Sequence, residues 1–384
     1  MTKPRIVIMA SSLGVLGGAQ RVAHVLADQL SARGYPVDLV GIAPTADPHD
    51  YGVSPAIRRF TLMEGEWPAM PVDLTDSGKR LPPDAAVISQ REAMSAAAAA
   101  ALTPVLADGP PGVIVATQLW AMEHLARVPH HEWAVIGQYH SSIEAASAGP
   151  DLQRALDLYV DVDAVALLTA ADADAMRRAG LNNTTWLPNP LAFWPKEPVT
   201  YRSDSAGIVG YLGRLSHEKG VTYLVDAWGR IADRYPGWRL RLVGSGAEES
   251  ALRDQTRRLA AGGDRVEFRP PVTDAESELR GCDVVVLPSL TEGLPLALAE
   301  AMALGLPCIA TDCSAGVRML SGDGRAARLV PRADAGALAA HLSALMDSPA
   351  EREALGRSAR EAVTPYRADT VTDMWERLIT DVLR

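Results

Sequence analysis

The fold is decided by the stretch RIVIMASSLGVLGGAQRVAHVLADQLSARGYPVDLVGI, residues Arg5–Ile42. The apolar run RIVIMA predicts a buried strand, SSLGVLGG a glycine-rich turn, and PVDLVGI a second strand. Between the turn and the second strand, apolar side chains recur at helical spacing, at Val22, Val25, Leu26 and Leu30. Gly34 stands where the C-terminus of that helix favours a left-handed residue. The stretch therefore predicts strand, turn, helix and strand, which is the opening of a βαβ unit.

The same order of elements returns about 200 residues later, in Gly207–Gly246. GIVGYLG predicts a strand, RLSHEKG a turn, VTYLVDAWGRIADRY a helix, and WRLRLVGSG a returning strand. Two such units in one chain indicate two doubly wound α/β domains. We predict Rossmann-like domains at residues 1–195 and 205–364, because prolines and polar residues replace the periodic pattern within Phe193–Gly207.

Apolar runs elsewhere predict the remaining strands. WAVIGQYH and DAVALLT belong to the first domain, and RVEFRPPV, DVVVLPS and PCIATD to the second. Gly52–Pro83 is rich in proline, glycine and acidic residues, and is expected to be a loop. The final helix, from about Arg367 to Arg384, carries an apolar face that must pack against another part of the protein, and a position between the domains is expected. That face is formed by Val371, Met374, Trp375, Leu378 and Val382.

The bulk composition limits the class of protein. The chain has 384 residues, of which 48% are hydrophobic and 22% charged, and this length exceeds what one hydrophobic core usually serves. A net charge of −10 argues against a nucleic-acid partner, because nucleic-acid-binding proteins normally present a basic surface to the phosphates. No run of about 18 apolar residues predicts a transmembrane segment.

Cysteine usage indicates a reducing compartment, so we expect a cytoplasmic protein. Cys282, Cys308 and Cys313 are odd in number and too few for a disulfide framework, and their spacing fits no zinc site. The N-terminal residues MTKPRIVIMASSLGVLGGAQR offer secretion as an alternative, since two basic residues precede an apolar run. Two serines and three glycines interrupt that run, and an amphipathic helix follows it, which favours the cytoplasm.

Two glycine-containing turns lie at the carboxyl ends of predicted strands, where ligands bind in open α/β sheets. In GVLGGAQR, residues Gly14–Arg21, glycines let the backbone approach an anion at a helix N-terminus, although the spacing GxGxxG and the lysine of a P-loop are missing. In LGRLSHEKG, residues Leu212–Gly220, Arg214 can fork onto two phosphate oxygens and Lys219 can act as a point charge. The alternatives are a tight structural turn for the first stretch and a solvated turn for the second.

Three further side chains are candidates for a site. His140 ends WAVIGQYH and is either a functional residue or a satisfied polar one. Glu292 follows DVVVLPS at the ligand end of the sheet, and Glu300 lies eight positions further on, in a helix predicted to start near Leu294. A carboxylate in so apolar a stretch is costly unless something pairs with it, although Glu300 taken alone fits a surface position too. At the start of that helix, backbone N–H groups from Gly293 to Leu296 can meet an oxyanion or a hydroxyl.

These residues carry a resemblance. GRLSHEKG followed by PSLTEGLPLALAEAMALGLPCIATD resembles the retaining, GT-B-fold glycosyltransferases of family 4, whose signature is two glutamates separated by seven residues, as Glu292 and Glu300 are. The resemblance extends to GGAQR, to WLPNPL and to the last helix. It implies two Rossmann-like domains that face each other across a cleft, an acceptor bound by the first, a nucleotide-sugar by the second, and a C-terminal helix, residues 365–384, that crosses back to the first domain.

The resemblance also implies roles for the candidate residues. Arg214 and Lys219 would neutralise the diphosphate of the donor, and Glu300 would accept hydrogen bonds from the ribose hydroxyls. Glu292 would hold the donor sugar together with the backbone of Gly293, Leu294, Pro295 and Leu296. Gly17 and Gly18 would line the cleft near the phosphates or the acceptor. His140 would lie near the reacting sugar. Pro271 and Val272 would meet the base.

The chain departs from the family pattern at two places. Many relatives have the sequence PNG where this chain has Pro188-Asn189-Pro190, and many have an acidic residue after the strand that is followed here by SAGVRML. Neither departure changes the donor chemistry that the resemblance implies. Both affect which exact residues take the roles that the family pattern assigns.

The chemistry implied by the resemblance is a same-face displacement in which the donor phosphate takes the proton of the acceptor, which agrees with the lack of an obvious pair of nucleophile and base. UDP is favoured as the donor nucleotide by its frequency in the family, a hexose is the expected sugar, and the acceptor is an unidentified hydroxyl. The alternatives are a nucleotide-sugar epimerase on the same two-domain plan and a non-catalytic nucleotide-sugar-binding protein.

No metal or other cofactor is expected. Two DxD sequences, Asp161–Asp163 and Asp172–Asp174, raise the alternative of a metal-dependent transferase. The first precedes a predicted strand and the second begins a predicted helix, where aspartate needs no metal to explain it.

Overall fold

A computed structural model describes residues 3–46, 48–64, 85–201 and 206–384 of the chain. The loop prediction for residues 65–83 and the part of the predicted domain boundary at residues 202–205 therefore lie outside the described residues. No helix within the described ranges is long and apolar enough to cross a membrane.

The first half of the chain alternates strands and helices as the opening stretch predicts. Its strands are β1 (Ile6–Ala10), β2 (Val37–Gly41), β3 (Arg58–Thr61), β4 (Val113–Ala116), β5 (Ala134–Tyr139), β6 (Ala164–Leu167) and β7 (Thr184–Trp186). Its helices are α1 (Gly18–Ala32), α2 (Ala85–Ala107), α3 (Leu119–Leu125), α4 (Ile143–Ser147), α5 (Asp151–Tyr159) and α6 (Ala170–Arg178).

The second half repeats this alternation. Its strands are β8 (Gly207–Leu212), β9 (Trp238–Val243), β10 (Val266–Arg269), β11 (Val284–Leu287), β12 (Cys308–Thr311) and β13 (Arg328–Val330). Its helices are α7 (Val221–Ile231), α8 (Glu249–Arg257), α9 (Ala275–Arg280), α10 (Leu296–Ala303), α11 (Ala315–Ser321), α12 (Ala335–Asp347), α13 (Pro349–Val363) and α14 (Ala368–Val382).

Each half builds one parallel sheet, and the prediction of two doubly wound domains is confirmed. The strand order is β3-β2-β1-β4-β5-β6-β7 in the first sheet and β10-β9-β8-β11-β12-β13 in the second. Ile6 at the start of β1 pairs with Val37 on one side and Val113 on the other, so the chain winds outward in both directions from the middle of the sheet. Strand order reverses between β1 and β4 and again between β8 and β11, and crevices for ligands form at such switch points.

Two elements differ from the sequence predictions. β3 lies inside Gly52–Pro83, which was expected to be a loop; its residues RRFT are mostly exposed, so this short edge strand lacks the apolar run that marks the buried strands. The helix α10 begins at Leu296 and not near Leu294, because Pro295 forces its predecessor away from helical geometry and itself takes the extended N-cap position.

The C-terminal helix α14 crosses back to the first domain, as the resemblance implies. Val371, Trp375 and Ile379 are fully buried in the cluster that also contains Ile6 and Leu26. Ion pairs flank this apolar contact, since Arg33 Nη1 lies 2.5 Å from both Asp373 Oδ1 and Glu376 Oε2, and Lys3 Nζ lies 2.9 Å from Glu376 Oε1. The face predicted from helical spacing is thus the face that packs.

Candidate functional site

The turn after β8 is fixed against the loop after β11. Gly220 ends a short 3₁₀ turn at a φ of +60°, a conformation that favours glycine. A Cβ at this position would lie 2.2 Å from the carbonyl oxygen of Pro288, so the turn can approach the β11 loop closely only because residue 220 has no side chain. The backbone N–H of Leu290 donates to the carbonyl of Glu218 over 2.8 Å and ties the two segments together. This contact brings Lys219 to the carboxyl end of β11.

Lys219 and Glu292, both predicted site residues, form an ion pair there. Lys219 Nζ lies 2.8 Å from Glu292 Oε1, and the hydroxyl of Ser289 donates to the same oxygen over 2.7 Å. Glu292 is 9% exposed, so this pairing offsets the cost of holding a carboxylate away from water. The pair leaves a cation and an anion side by side at the switch point of the second sheet.

Arg214 stands apart from that pair. Its guanidinium is 71% exposed and lies 3.1 Å from Glu218 Oε1, while its carbonyl accepts a hydrogen bond from the hydroxyl of Tyr211 over 2.6 Å. The structure thus fixes the backbone of Arg214 at the end of β8 and directs its charge toward solvent. An exposed pair of this kind contributes little to stability, so the guanidinium is available to an anionic ligand.

The stretch from Gly293 to Leu296 is enclosed from both domains. A Cβ on Gly293 would lie 2.4 Å from the carbonyl oxygen of His140, which belongs to the first domain. Its own carbonyl accepts a hydrogen bond from Ser314 Oγ over 3.3 Å, and the carbonyl of Leu294 accepts one from Asn189 Nδ2 over 3.4 Å. Because Pro295 has no N–H, the predicted donors in this stretch reduce to those of Gly293, Leu294 and Leu296.

Asn189 and Ser314 are the residues that sequence reasoning missed as supports of this stretch. Asn189 is buried, and Ser314 both caps α11 by accepting from the N–H of Val317 and holds the carbonyl of Gly293. The only signal in the sequence was that both lie where the chain departs from the family pattern, at PNP and at SAGVRML.

His140 is neutral at neutral pH. Burial lowers its pKa to about 4, although neighbouring Asn189 favours the protonated form. The residue as a whole is partly exposed, but its Nε2 is buried and makes no hydrogen bond to the described residues, and neither does Asn189 Oδ1. The imidazole is thus held uncharged beside the Gly293 stretch.

Glu300 is paired across the domain interface. It projects from α10, its side chain is 1% exposed, and its Oε1 accepts a hydrogen bond from Arg21 Nη1, on α1, over 2.8 Å. Burial raises the pKa of Glu300, and the positive charge of Arg21 opposes that rise. Glu300 is therefore not a surface residue of its helix, and its partner comes from the other predicted domain.

The glycine turn before α1 is held by Tyr51. The hydroxyl of Tyr51 accepts from the N–H of Gly17 over 3.1 Å and donates to the carbonyl of Val15 over 2.8 Å, so this N–H already has a partner. Gly18 begins α1 and faces the second domain, since a Cβ there would make an ordinary contact, 3.5 Å, with Leu296 Cδ1. Of the two predicted cleft-lining glycines, Gly18 therefore contacts the second domain, while the N–H of Gly17 is bonded to Tyr51.

Pro271 and Val272 lie in the loop that follows β10. β10 is the edge strand of the second sheet, two strands away from β8, so this loop opens at the same carboxyl edge as the turn of Arg214. Pro271 is exposed and Val272 is partly buried.

At least one aspartate of each DxD sequence has a structural partner. Asp172 accepts hydrogen bonds from Thr169 Oγ1 over 2.6 Å and from the N–H of Ile143 over 2.9 Å, and Asp163 accepts one from the N–H of Val135 over 2.7 Å. In the described part of the chain, no group of three or more His, Cys, Asp or Glu side chains is arranged to hold a metal ion.

A groove of about 880 Å³ lies at the opposite end of the second sheet. It is lined by the linker residues Trp194–Thr200 and by residues just before β11, among them Cys282 and Asp283. None of the residues of the switch-point site lines it, and in open α/β sheets the ligand end is the carboxyl end of the strands.

Part of the chain is similar in sequence to known glycosyltransferases. Residues 206–348 match the family model described as glycosyl transferases group 1. An uncharacterized glycosyltransferase of Haemophilus influenzae is 36% identical over 176 residues, which cover 45% of this chain and 49% of that protein. The chain spans about half the length of the curated relatives it matches.

Solved structures match over nearly the whole chain. The sucrose-phosphate synthase of Thermosynechococcus elongatus superposes with a TM-score of 0.79 at 22% identity, and 99% of each chain is covered. The Anabaena protein HepE, in complex with UDP and glucose, gives a TM-score of 0.75 at 19% identity, with 98% of this chain and 99% of that chain covered. At such identities the likeness shows the fold, which is the GT-B arrangement of two Rossmann-like domains.

Proposed function

We propose that this chain, whose residues 206–348 carry the glycosyl transferases group 1 domain, is a retaining glycosyltransferase that moves a hexose from a UDP-sugar to a hydroxyl of an acceptor. The observation that carries the proposal is the pair of glutamates at the switch point of the second sheet, each held by a cation: Glu292, partly buried, by Lys219, and Glu300, fully buried, by Arg21. The solved structure of HepE with UDP and glucose supports a uridine nucleotide sugar as the donor.

In this proposal the diphosphate of the donor lies between the loops that follow β8 and β11. Lys219 already reaches that place, and the exposed guanidinium of Arg214 turns from Glu218 onto the phosphate oxygens. Breaking the bond between sugar and phosphate leaves negative charge on the diphosphate. Fixed cations at that position therefore stabilise the transition state more than the ground state.

The sugar and the nucleoside are held on either side of the diphosphate. Glu292 and the N–H groups of Gly293, Leu294 and Leu296 bind the sugar hydroxyls, and the carboxylate of Glu300 accepts from the two ribose hydroxyls. The backbone at Pro271 and Val272 meets the base. Buried carboxylates suit these roles because a hydroxyl donates a strong hydrogen bond to a charged acceptor.

The reaction proceeds on one face of the sugar. The bond from the anomeric carbon to the phosphate oxygen breaks, the acceptor oxygen forms the new bond on the same face, and its proton passes to the departing phosphate. His140, neutral at the operating pH, lies near the reacting sugar and adds no positive charge that would compete with the developing one at the anomeric carbon. No metal or other cofactor takes part.

The acceptor is bound by the first domain, next to the glycine turn before α1. The reaction requires a hydroxyl on this acceptor. The proposal places the enzyme in the cytoplasm, where its three cysteines, all buried and unpaired by disulfides, stay reduced.

A panel of UDP-, GDP- and ADP-sugars tests the proposal without knowledge of the acceptor. We expect one UDP-sugar to bind and to release UDP slowly by transfer to water, in the presence of EDTA as well as without it, and the freed sugar to keep the anomeric configuration of the donor when followed by NMR. Conversion of the sugar into its epimer would indicate an epimerase, and tight binding with no release on a broad acceptor panel would indicate a binding protein.

A further inference from the structure

Arg21 is the one contact to Glu300 that the proposed function does not explain. It lies on the first turn of α1, directly after the glycine turn, and reaches across the interface to Glu300 Oε1 at 2.8 Å. Glu300 lies among apolar neighbours on α10 and is 1% exposed, whereas Arg21 is 20% exposed. A carboxylate in that setting needs a cation, and the one it has belongs to the other domain.

We propose that Arg21 is a positioning residue for the donor: it holds and orients the Glu300 carboxylate so that the ribose hydroxyls find their acceptor only when both domains contribute to the site. This inference rests on the proposed function, because it takes Glu300 as the ribose-binding residue. A carboxylate offers about four acceptor positions on its two oxygens, so Arg21 and two ribose hydroxyls can be bound together.

The alternative is that Arg21 competes with the ribose and must leave Glu300 before the donor binds. The geometry favours cooperation, since Arg21 uses Oε1 alone and approaches from α1, on the side of the first domain. Loss of Arg21 then weakens nucleotide binding, whereas under competition its loss would strengthen binding.

The positive charge of Arg21 also affects the protonation of Glu300. Burial raises the pKa of Glu300 and Arg21 opposes it, so removal of Arg21 moves the pKa of Glu300 further upward. The charged groups on the other elements packed against α10 have partners other than Glu300: Arg360 on α13 donates to the carbonyls of Ala303, at the end of α10, and of Pro195, and Glu278 on α9 pairs with Arg241 and Arg269. The other charged side chains of α13 and α9 that have ion-pair partners are Glu351 with Arg328, Arg357 with Glu353, and Arg280 with Glu276.

Nucleotide affinity is therefore expected to depend on pH. A ribose hydroxyl donates a stronger hydrogen bond to the carboxylate than to the carboxylic acid, so nucleotide affinity falls as pH drops through the pKa of Glu300. Because Arg21 opposes the rise in the pKa of Glu300, we expect the loss of affinity to begin at a higher pH when Arg21 is removed.

Calorimetric titration of the full chain with UDP, GDP and ADP, between about pH 5.5 and pH 8.5, tests this proposal. The tightest-bound nucleotide is then titrated into Arg21→Gln, Arg21→Lys and Glu300→Gln, with Arg154→Gln as a matched control, since Arg154 also forms ion pairs on the first domain but lies on α5. Circular dichroism confirms that each variant is folded.

We expect Arg21→Gln to shift the acid midpoint of binding upward, Arg21→Lys to bring it back toward the wild type, Glu300→Gln to remove the titration, and Arg154→Gln to match the wild type. A midpoint that is the same in Arg21→Gln and in the wild type, or tighter binding in that variant, would overturn the role of Arg21 while the proposed function stands. Failure of the wild-type chain to bind any of the three nucleotides would overturn the proposed function and this inference together.

Discussion

The free-energy cost of holding a carboxylate away from water is offset in different ways for Glu292 and Glu300. Glu292 is paired within its own domain, by Lys219 and the hydroxyl of Ser289, so that carboxylate is set in place by the fold of the second domain alone. Glu300 is paired from outside, by Arg21. Breaking a buried ion pair from one side typically costs about 3–5 kcal/mol because it strands a charge, so both glutamates depend on their partners.

Arg214→Ala tests the diphosphate assignment at the level of one side chain. We expect kcat/KM to fall by about 100-fold to 1,000-fold, as for the loss of one charge donor to the transition state, with little change in the free energy of unfolding because the side chain is largely exposed. Steady-state kinetics with the donor identified by the panel measures this. Arg253→Ala is the matched control, since Arg253 is an exposed arginine paired with Glu249 on α8. Near-normal turnover in Arg214→Ala would remove Arg214 from the site.

The lowered pKa of His140 predicts that the free energy of unfolding depends on pH. Its pKa is about 4 in the folded protein and near 6.5 when the chain is unfolded, so between these values the unfolded state binds the extra proton. The stability contributed by the neutral imidazole is complete above about pH 6.5 and is lost as pH falls toward about 4, at about 1.4 kcal/mol per pH unit.

Urea unfolding of wild type and His140→Gln at several pH values measures this effect. Because the variant lacks the titrating group, we expect the free energy of unfolding of the wild type to fall more steeply with acidification than that of the variant. His131→Gln, at an exposed position, controls for removal of a histidine as such. Parallel pH profiles for wild type and His140→Gln would show that His140 is not held neutral by burial.

At the scale of elements, the start of α10 and the turns around it form the site. The sequence predicted these elements well because each depends on local patterns: apolar runs for β8 and β11, a glycine turn after β8, and helical spacing in α7. The exact start of α10 was missed by two residues, since Pro295 decides it locally but periodicity runs through it. β3 was missed because an exposed edge strand has little apolar pattern to detect.

Gly293→Ala tests the close approach of the two domains at α10. A Cβ would lie 2.4 Å from the carbonyl oxygen of His140 and 2.9 Å from Leu168 Cδ1, and the backbone carbonyl cannot turn aside as a flexible side chain can. We expect the free energy of unfolding to fall by about 1–3 kcal/mol through overpacking, and kcat/KM for the donor to fall by about tenfold or more.

Gly149→Ala is the control for this variant, because an added Cβ at residue 149 meets nothing within 4 Å. Chemical denaturation and donor kinetics should separate the two substitutions. If Gly293→Ala behaved like Gly149→Ala in both measurements, the contact between Gly293 and His140 would not shape the site.

At the scale of the whole molecule, the contacts that join the halves in the described residues include two ion pairs near the site and one helix. Arg21 contacts Glu300, Arg332 Nη2 lies 2.9 Å from Glu144 Oε1, and α14 packs its apolar face on the first domain. The two-domain arrangement was predictable because the sequence pattern of a βαβ unit occurs twice in the chain. The pairing of residues 21 and 300 was not, since it depends on how two separately folded sheets face each other, and no local pattern encodes that. The support given by Asn189 escaped prediction for the same reason, whereas the support given by Ser314 joins two loops of the second domain that lie apart in the sequence.

The central claim is that Glu300 and its neighbours at the switch point bind the nucleotide of a sugar donor. Calorimetric titration of the wild type and of Glu300→Gln with UDP at neutral pH tests this claim most directly. We predict binding by the wild type and a loss of about 1.5–3 kcal/mol of binding free energy in the variant, the contribution of hydrogen bonds to a charged acceptor. Equal affinity of the two proteins for UDP, or no binding by the wild type, would contradict the account.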